Sequence, residues 1–149
     1  MAVQRRRFLA TVVAAASLLA MGDVYAQSSG AGSVKLAMKG YDPVAYFTQG
    51  RPTLGSSAFS HVWDGTRYQF ESAAHRDLFA ADPAKYAPQY AGSCAISMAG
   101  GARREGQPEN WAIADGRLFL FAGASGPEVM RGNSALVAQA NQNWQKLGP

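Results

Sequence analysis

Residues 59–95 read FSHVWDGTRYQFESAAHRDLFAADPAKYAPQYAGSCA, a run that holds a hairpin, a helix, a helix restart and a cysteine. Asp64-Gly65 sits between two segments rich in aromatic and β-forming residues. It is the pair that a two-residue type I′ turn requires, because both central residues need positive φ. Such a turn sets Trp63 opposite Thr66, His61 opposite Tyr68 and Phe59 opposite Phe70, all on one face of the ribbon, since side chains alternate along a strand. Ser72 then serves as N-cap of a helix that turns Ala74, Leu78 and Phe79 inward. His75, in the first turn of that helix, is expected to be exposed. Asp82-Pro83 stops the helix and starts a short one, proline being tolerated at the first helical position.

Toward the C-terminus, Pro88 to Ser93 form a Gly-containing loop that delivers Cys94 to the start of Ala95-Ile96-Ser97-Met98-Ala99. Gly100 to Gln107 read as a polar, mobile loop. A second hairpin follows, Trp111–Ala114 and Arg117–Phe121 around Asp115-Gly116. Leu118 and Leu120 point one way and Phe119 and Phe121 the other, so this strand is expected to be buried on both faces. Two such hairpins do not make a repeat of solenoid type, because the unit occurs only twice and its flanks differ. Ser134 is the expected cap of a last helix with Leu136, Val137, Ala140, Trp144 and Leu147 along its apolar stripe. Toward the N-terminus, Gly50–Ser57 read as loop, and Asp42 as N-cap with Pro43 in the first turn of a short helix. Residues 27–39 are a Ser/Gly-rich linker with a candidate edge strand over Val34–Met38. The expected fold is α+β: one small domain of two antiparallel β-hairpins packed against short helices and a C-terminal helix.

Residues 1–26 are read as a signal sequence. Arg5-Arg6-Arg7 precede Phe8 and Leu9, an apolar run follows, and Val24-Tyr25-Ala26 supplies the small-residue cleavage site. The order Arg-Arg-Arg-Phe-Leu resembles a twin-arginine export signal, which implies a periplasmic product cut near Ala26. Without Arg5, Arg6, Arg7 and Asp23 the net charge falls from +4 to +2. No basic stripe remains, so no nucleic-acid partner is expected. No later segment reaches membrane-spanning length.

The chemistry-bearing residues are few. Cys94 has no second cysteine to pair with, so it is either an inert buried side chain or a free thiol with chemistry. If the segment after it is helical, the sulfurs of Cys94 and Met98 lie on one face, and thiolate with thioether is the ligand pair that favours Cu(I). His61, Asp42 and Tyr90 are candidates to complete such a site. Against this stands a plain packing reading of Cys94 and Met98, and of His61 as a residue hydrogen-bonded to Tyr68. A helix start would also lower the Cys94 pKa and favour a nucleophilic thiol. Gly100-Gly101 with Arg103 and Arg104 matches no phosphate-cradling spacing. Asp42, Asp82 and Asp115 have capping and turn roles, which leaves no carboxylate pair to nominate as catalytic.

Gly40-Tyr41-Asp42-Pro43-Val44-Ala45-Tyr46-Phe47, Phe59-Ser60-His61 and Asp64-Gly65 through Tyr68 and Phe70 together resemble the YHS domain family, in its exported bacterial branch. Phe79, Asp82-Pro83, Tyr86, Pro88-Gln89-Tyr90, Gly92, Cys94-Ala95, Trp111, Asp115-Gly116-Arg117-Leu118 and Trp144 continue the likeness over residues 40–149. The resemblance implies a small module linked to zinc or copper, but two cysteine positions of the metal-associated members read Ala45 and Glu71 here. It also implies that the position of Cys94 can hold selenocysteine in relatives, which favours redox or soft-metal chemistry there. The resulting expectation is an exported protein, not an established enzyme, that binds a metal ion (copper or zinc) or small ligand around Cys94, with Met98 and His61 as supports. The rival expectations are a single-thiol periplasmic redox protein and a non-catalytic module that binds a periplasmic protein partner.

Overall fold

Helices start where the sequence supplies caps. In a computed structural model that describes residues 33–148, Asp42 caps α1 (Pro43–Thr48), accepting from the N–H groups of Val44 and Ala45. Ser72 caps α2 (Ala73–Ala81) through the N–H of His75, and Asp82 caps α3 (Pro83–Tyr86) through that of Lys85. Each cap satisfies a donor that the first helical turn leaves without a partner. The signal sequence read over 1–26 and residues 27–32 of the linker lie outside the described residues.

The Asp64-Gly65 hairpin joins β2 (Ser56–Trp63) to β3 (Thr66–Phe70), with Trp63 opposite Thr66 and His61 opposite Tyr68 as the turn chemistry requires. Phe59 does not face Phe70. The register shifts between Ser56 and Ser60, so that Ser56 is the partner of Phe70. A bulge inserts residues into one strand only, and no local pattern in the sequence marks it. The candidate edge strand shortens to β1 (Lys35–Leu36), which runs parallel to β3 and completes a three-stranded sheet in the order β1-β3-β2. After it the chain enters a left-handed turn, with Met38 at φ 47°, Lys39 at φ 52° and Gly40 at φ 86°.

Asp115-Gly116 joins β4 (Gln107–Ala114) to β5 (Arg117–Phe121) in a two-stranded sheet, again with a register shift, here between Gln107 and Trp111. β5 is buried on both faces, as its alternation implies. Leu118 and Leu120 enter one core cluster with Val44, Tyr46, Phe70 and Phe79. Phe119 and Phe121 enter a second cluster with Tyr90, Cys94, Met98 and Ala140. One strand thus serves as a wall between two cores, because successive side chains leave it on opposite sides.

The helices need several corrections. In α2 only Phe79 is buried; Ala74 is exposed and Leu78 is 43% exposed. That single ring suffices, since it meets Tyr68 and Phe70 at centroid distances of 4.6 and 5.1 Å. The segment after Cys94 is helical, α4 (Ala95–Ala99). Gly100–Gln107 is no free loop: Arg104 and Gly106 bond back to Cys94 and Gly92. A helix without a sequence forecast, α5 (Gly126–Arg131), follows β5. The last helix, α6 (Leu136–Leu147), has Ala135 rather than Ser134 at its cap position, while Asn133 accepts from the N–H of Ala135. Leu136 and Ala140 carry its burial, Trp144 packs on the second cluster half-buried, and Leu147 is left 47% exposed.

Candidate functional site

Asp42 is the charged side chain that the described core encloses. Its Oδ1 accepts from the N–H of Val44 at 2.8 Å and of Ala45 at 3.3 Å. Its Oδ2 accepts from the N–H of Glu71 at 3.0 Å and faces Nδ1 of His75 at 2.7 Å. A carboxylate can only accept, so Nδ1 carries the proton. The expectation for His75 is overturned here: its side chain is only 13% exposed. It is held between Asp42 and Thr48 Oγ1, which lies 3.3 Å from Nε2. Nothing local joins position 42 to position 75, and this link escaped the sequence reading for that reason.

Asp42, Glu71 and His75 each present a donor atom within 4.8 Å of the others. As a metal site the group is nevertheless compromised by its own bonding. Both Asp42 oxygens are taken by N–H donors, and a cation would have to displace the His75 proton and compete with backbone groups that have no other acceptor. The arrangement does well what it is seen to do, which is to tie α1, the end of β3 and α2 together.

Cys94 stands at the N-cap of α4 and is 3% exposed. Its N–H donates to the carbonyl of Arg104 at 2.7 Å, and its carbonyl accepts from the N–H of Met98 at 2.9 Å. Burial pushes the thiol pKa up. The Ser97 hydroxyl and the backbone N–H groups of Ser97, Ala122 and Ile96 act on the sulfur in the opposite sense and prevail, so the pKa lies below its ordinary 9.0. None of them closes a strict capping hydrogen bond; they act as dipoles directed at the charge that a thiolate would carry.

Of the sequence candidates, Cys94, Met98 and Tyr90 share the second core cluster. Met98 is fully buried. The Tyr90 hydroxyl is engaged with Oδ1 of Asn141 at 2.9 Å, and burial raises its pKa. His61 belongs elsewhere: it faces Tyr68 across the hairpin, and its ring meets Phe79 edge-on at 6.0 Å. Asp42 is likewise with the first cluster's elements, committed to its cap. A surface groove of about 370 Å³ borders the Cys94 segment, lined among others by Lys35, Gly92, Ser93, Arg103 and Arg104. Arg103 also stacks over the ring of Trp144, 4.7 Å from its centroid.

Comparison with protein-family models, with curated proteins and with solved structures returned no match. Among the described residues no helix is long and apolar enough to cross a membrane.

Proposed function

We propose that the protein is an exported YHS-type binding protein that holds a soft metal ion, Cu(I) foremost, through the sulfurs of Cys94 and Met98. The observation that carries this reading is the environment of Cys94, a buried sulfur that surrounding dipoles favour as thiolate, with the Met98 thioether one helical turn away in the same cluster. Thiolate and thioether together select Cu(I), which accepts few ligands. Zinc fits less well, because it asks for four ligands of Cys, His or carboxylate type. His61 contacts Phe79 rather than this cluster, so it is not assigned as a ligand.

The test is a Cu(I) titration against a competing chelator. The wild type is expected to take up one equivalent, Cys94→Ser none, and Met98→Leu one equivalent more weakly. A wild type that takes up no copper ends this reading. The lowered pKa of Cys94 favours a second one, a single-thiol redox protein, since the thiolate is the nucleophile. Its mark is alkylation of Cys94 in the folded state at a pH where an ordinary thiol reacts slowly.

A further inference from the structure

The two halves of the described chain follow one path. A left-handed turn ends on Gly40 in the first and Gly92 in the second, with φ 86° and 80°. Two residues later comes the N-cap, Asp42 or Cys94, then a short helix, a glycine, a strand with a register shift, Asp-Gly and a second strand.

The bonds between these pieces also correspond. Tyr41 N–H donates to Met38 O, and Ser93 N–H to Tyr90 O, both at 3.0 Å. Gly55 N–H donates to Gly40 O at 2.8 Å, and Gly106 N–H to Gly92 O at 3.0 Å. Asp42 N–H donates to Thr53 O at 2.8 Å, and Cys94 N–H to Arg104 O at 2.7 Å. The pairing Tyr41↔Leu54 answers to Ser93↔Glu105, and the parallel pairing Leu36↔Arg67 to Pro88↔Leu118. Two unrelated hairpins would share a turn type, but not this set of bonds between separate elements.

From this correspondence we infer that the chain is a structural duplication, and that Cys94 occupies in the second half the backbone cradle that holds the buried Asp42 carboxylate in the first, so that position 94 is built to accept an anion. The donors are equivalent one by one. Asp42 accepts from Val44, Ala45 and Glu71, the second and third residues after it and the residue following β3. Ile96, Ser97 and Ala122 hold the same places relative to Cys94 and β5. The first cradle demonstrates the chemistry, since its occupant is a fully buried carboxylate with each oxygen bonded. The halves differ in the fourth donor. His75 completes the first cradle, whereas the residue equally far beyond β5 is Gly126, which has no side chain to offer.

This goes beyond the copper reading and is tested apart from it. Cys94→Asp and Cys94→Ala are compared with the wild type in urea at pH 7, with tryptophan fluorescence as readout. If the cradle holds an anion, Cys94→Asp unfolds at a higher urea concentration than Cys94→Ala, and this advantage disappears as the pH is lowered and the carboxylate protonates. A Cys94→Asp chain that is unfolded, or no more stable than Cys94→Ala at pH 7, overturns the inference. A stable Cys94→Asp beside a wild type that binds no Cu(I) would sink the copper proposal and leave the cradle standing.

Discussion

Asp42 and Cys94 occupy the same place in two like backbones, yet their surroundings differ in kind. Around Asp42 every oxygen has a partner, and His75 closes the set. Around Cys94 the backbone follows the same path, but the neighbours are apolar: Met98, Phe119, Phe121 and Ala140. The first half uses its cradle to fasten helices to a sheet. The second keeps a polarizable, oxidisable atom in the same geometry and seals it in a second core. The difference teaches that one backbone path can hold a hydrogen-bonded carboxylate or a sulfur sealed among apolar side chains, according to the side chain set in it.

The sharpest break in this comparison is Asp42→Ala. It leaves the N–H groups of three residues without their acceptor and strips His75 Nδ1 of its partner. We expect a loss of about 3–5 kcal/mol in urea unfolding. Phe119→Ala, on the Cys94 side of β5, should cost a similar ~3–5 kcal/mol, and Leu118→Ala, on the other side, ~2–5 kcal/mol. The two are told apart by thiol accessibility. Phe119→Ala is expected to speed labelling of Cys94 by an aromatic disulfide under native conditions, and Leu118→Ala to leave it near the wild-type rate. Equal rates would mean that β5 does not separate the cores.

Gly55 and Gly106 offer a matched pair of smaller effect. A Cβ on Gly55 would lie 2.5 Å from the backbone carbon of Gln69, and one on Gly106 would lie 2.5 Å from Cβ of Leu120. Each Gly→Ala change should cost about 1–3 kcal/mol, measured by thermal or urea unfolding, and a neutral result in one half alone would weaken the equivalence of the two.

The pH response is the mildest test, and the halves oppose each other in it. Cys94 has a folded pKa below 9.0, so its contribution is absent at low pH, appears as pH rises through that lowered value and is complete above 9.0. Burial, with Asp64 adding, pushes Tyr68 up to about 12 from 10.0. Its contribution is complete below 10.0 and is lost as pH rises toward about 12. Unfolding midpoints of wild type and Cys94→Ser should therefore diverge on approaching pH 9.0, and both should fall together above 10.0. Parallel curves throughout would deny Cys94 a thiolate in the fold.

Much of the architecture was legible because it is local. Asp-Gly demands its turn, Asp42, Ser72 and Asp82 find N–H donors two or three residues ahead, and the run Leu118–Phe121 alternates between two cores as any strand must. The short helix after Cys94, which puts Met98 in reach, could also be anticipated. The bulges could not, since an inserted residue looks like any other, and with them went the expected pairing of Phe59 and Phe70. The interior place of His75 was missed because its partner is distant in the chain.

The duplication escaped for a more instructive reason. The residues that the halves share, Gly40 and Gly92, Gly55 and Gly106, Asp64-Gly65 and Asp115-Gly116, Phe70 and Phe121, are mostly those that special backbone geometry demands, and the side chains between them have diverged. By itself the sequence determined the turns, the caps of α1, α2 and α3 and the two-faced strand, all set by φ, ψ and alternation within a few residues. Only the tertiary structure decided that Glu71 brings its N–H group to Asp42, and that Ala122, after β5, takes the matching place in the second half. A cradle made of backbone donors from separate elements leaves no signature in the identity of the residues that build it.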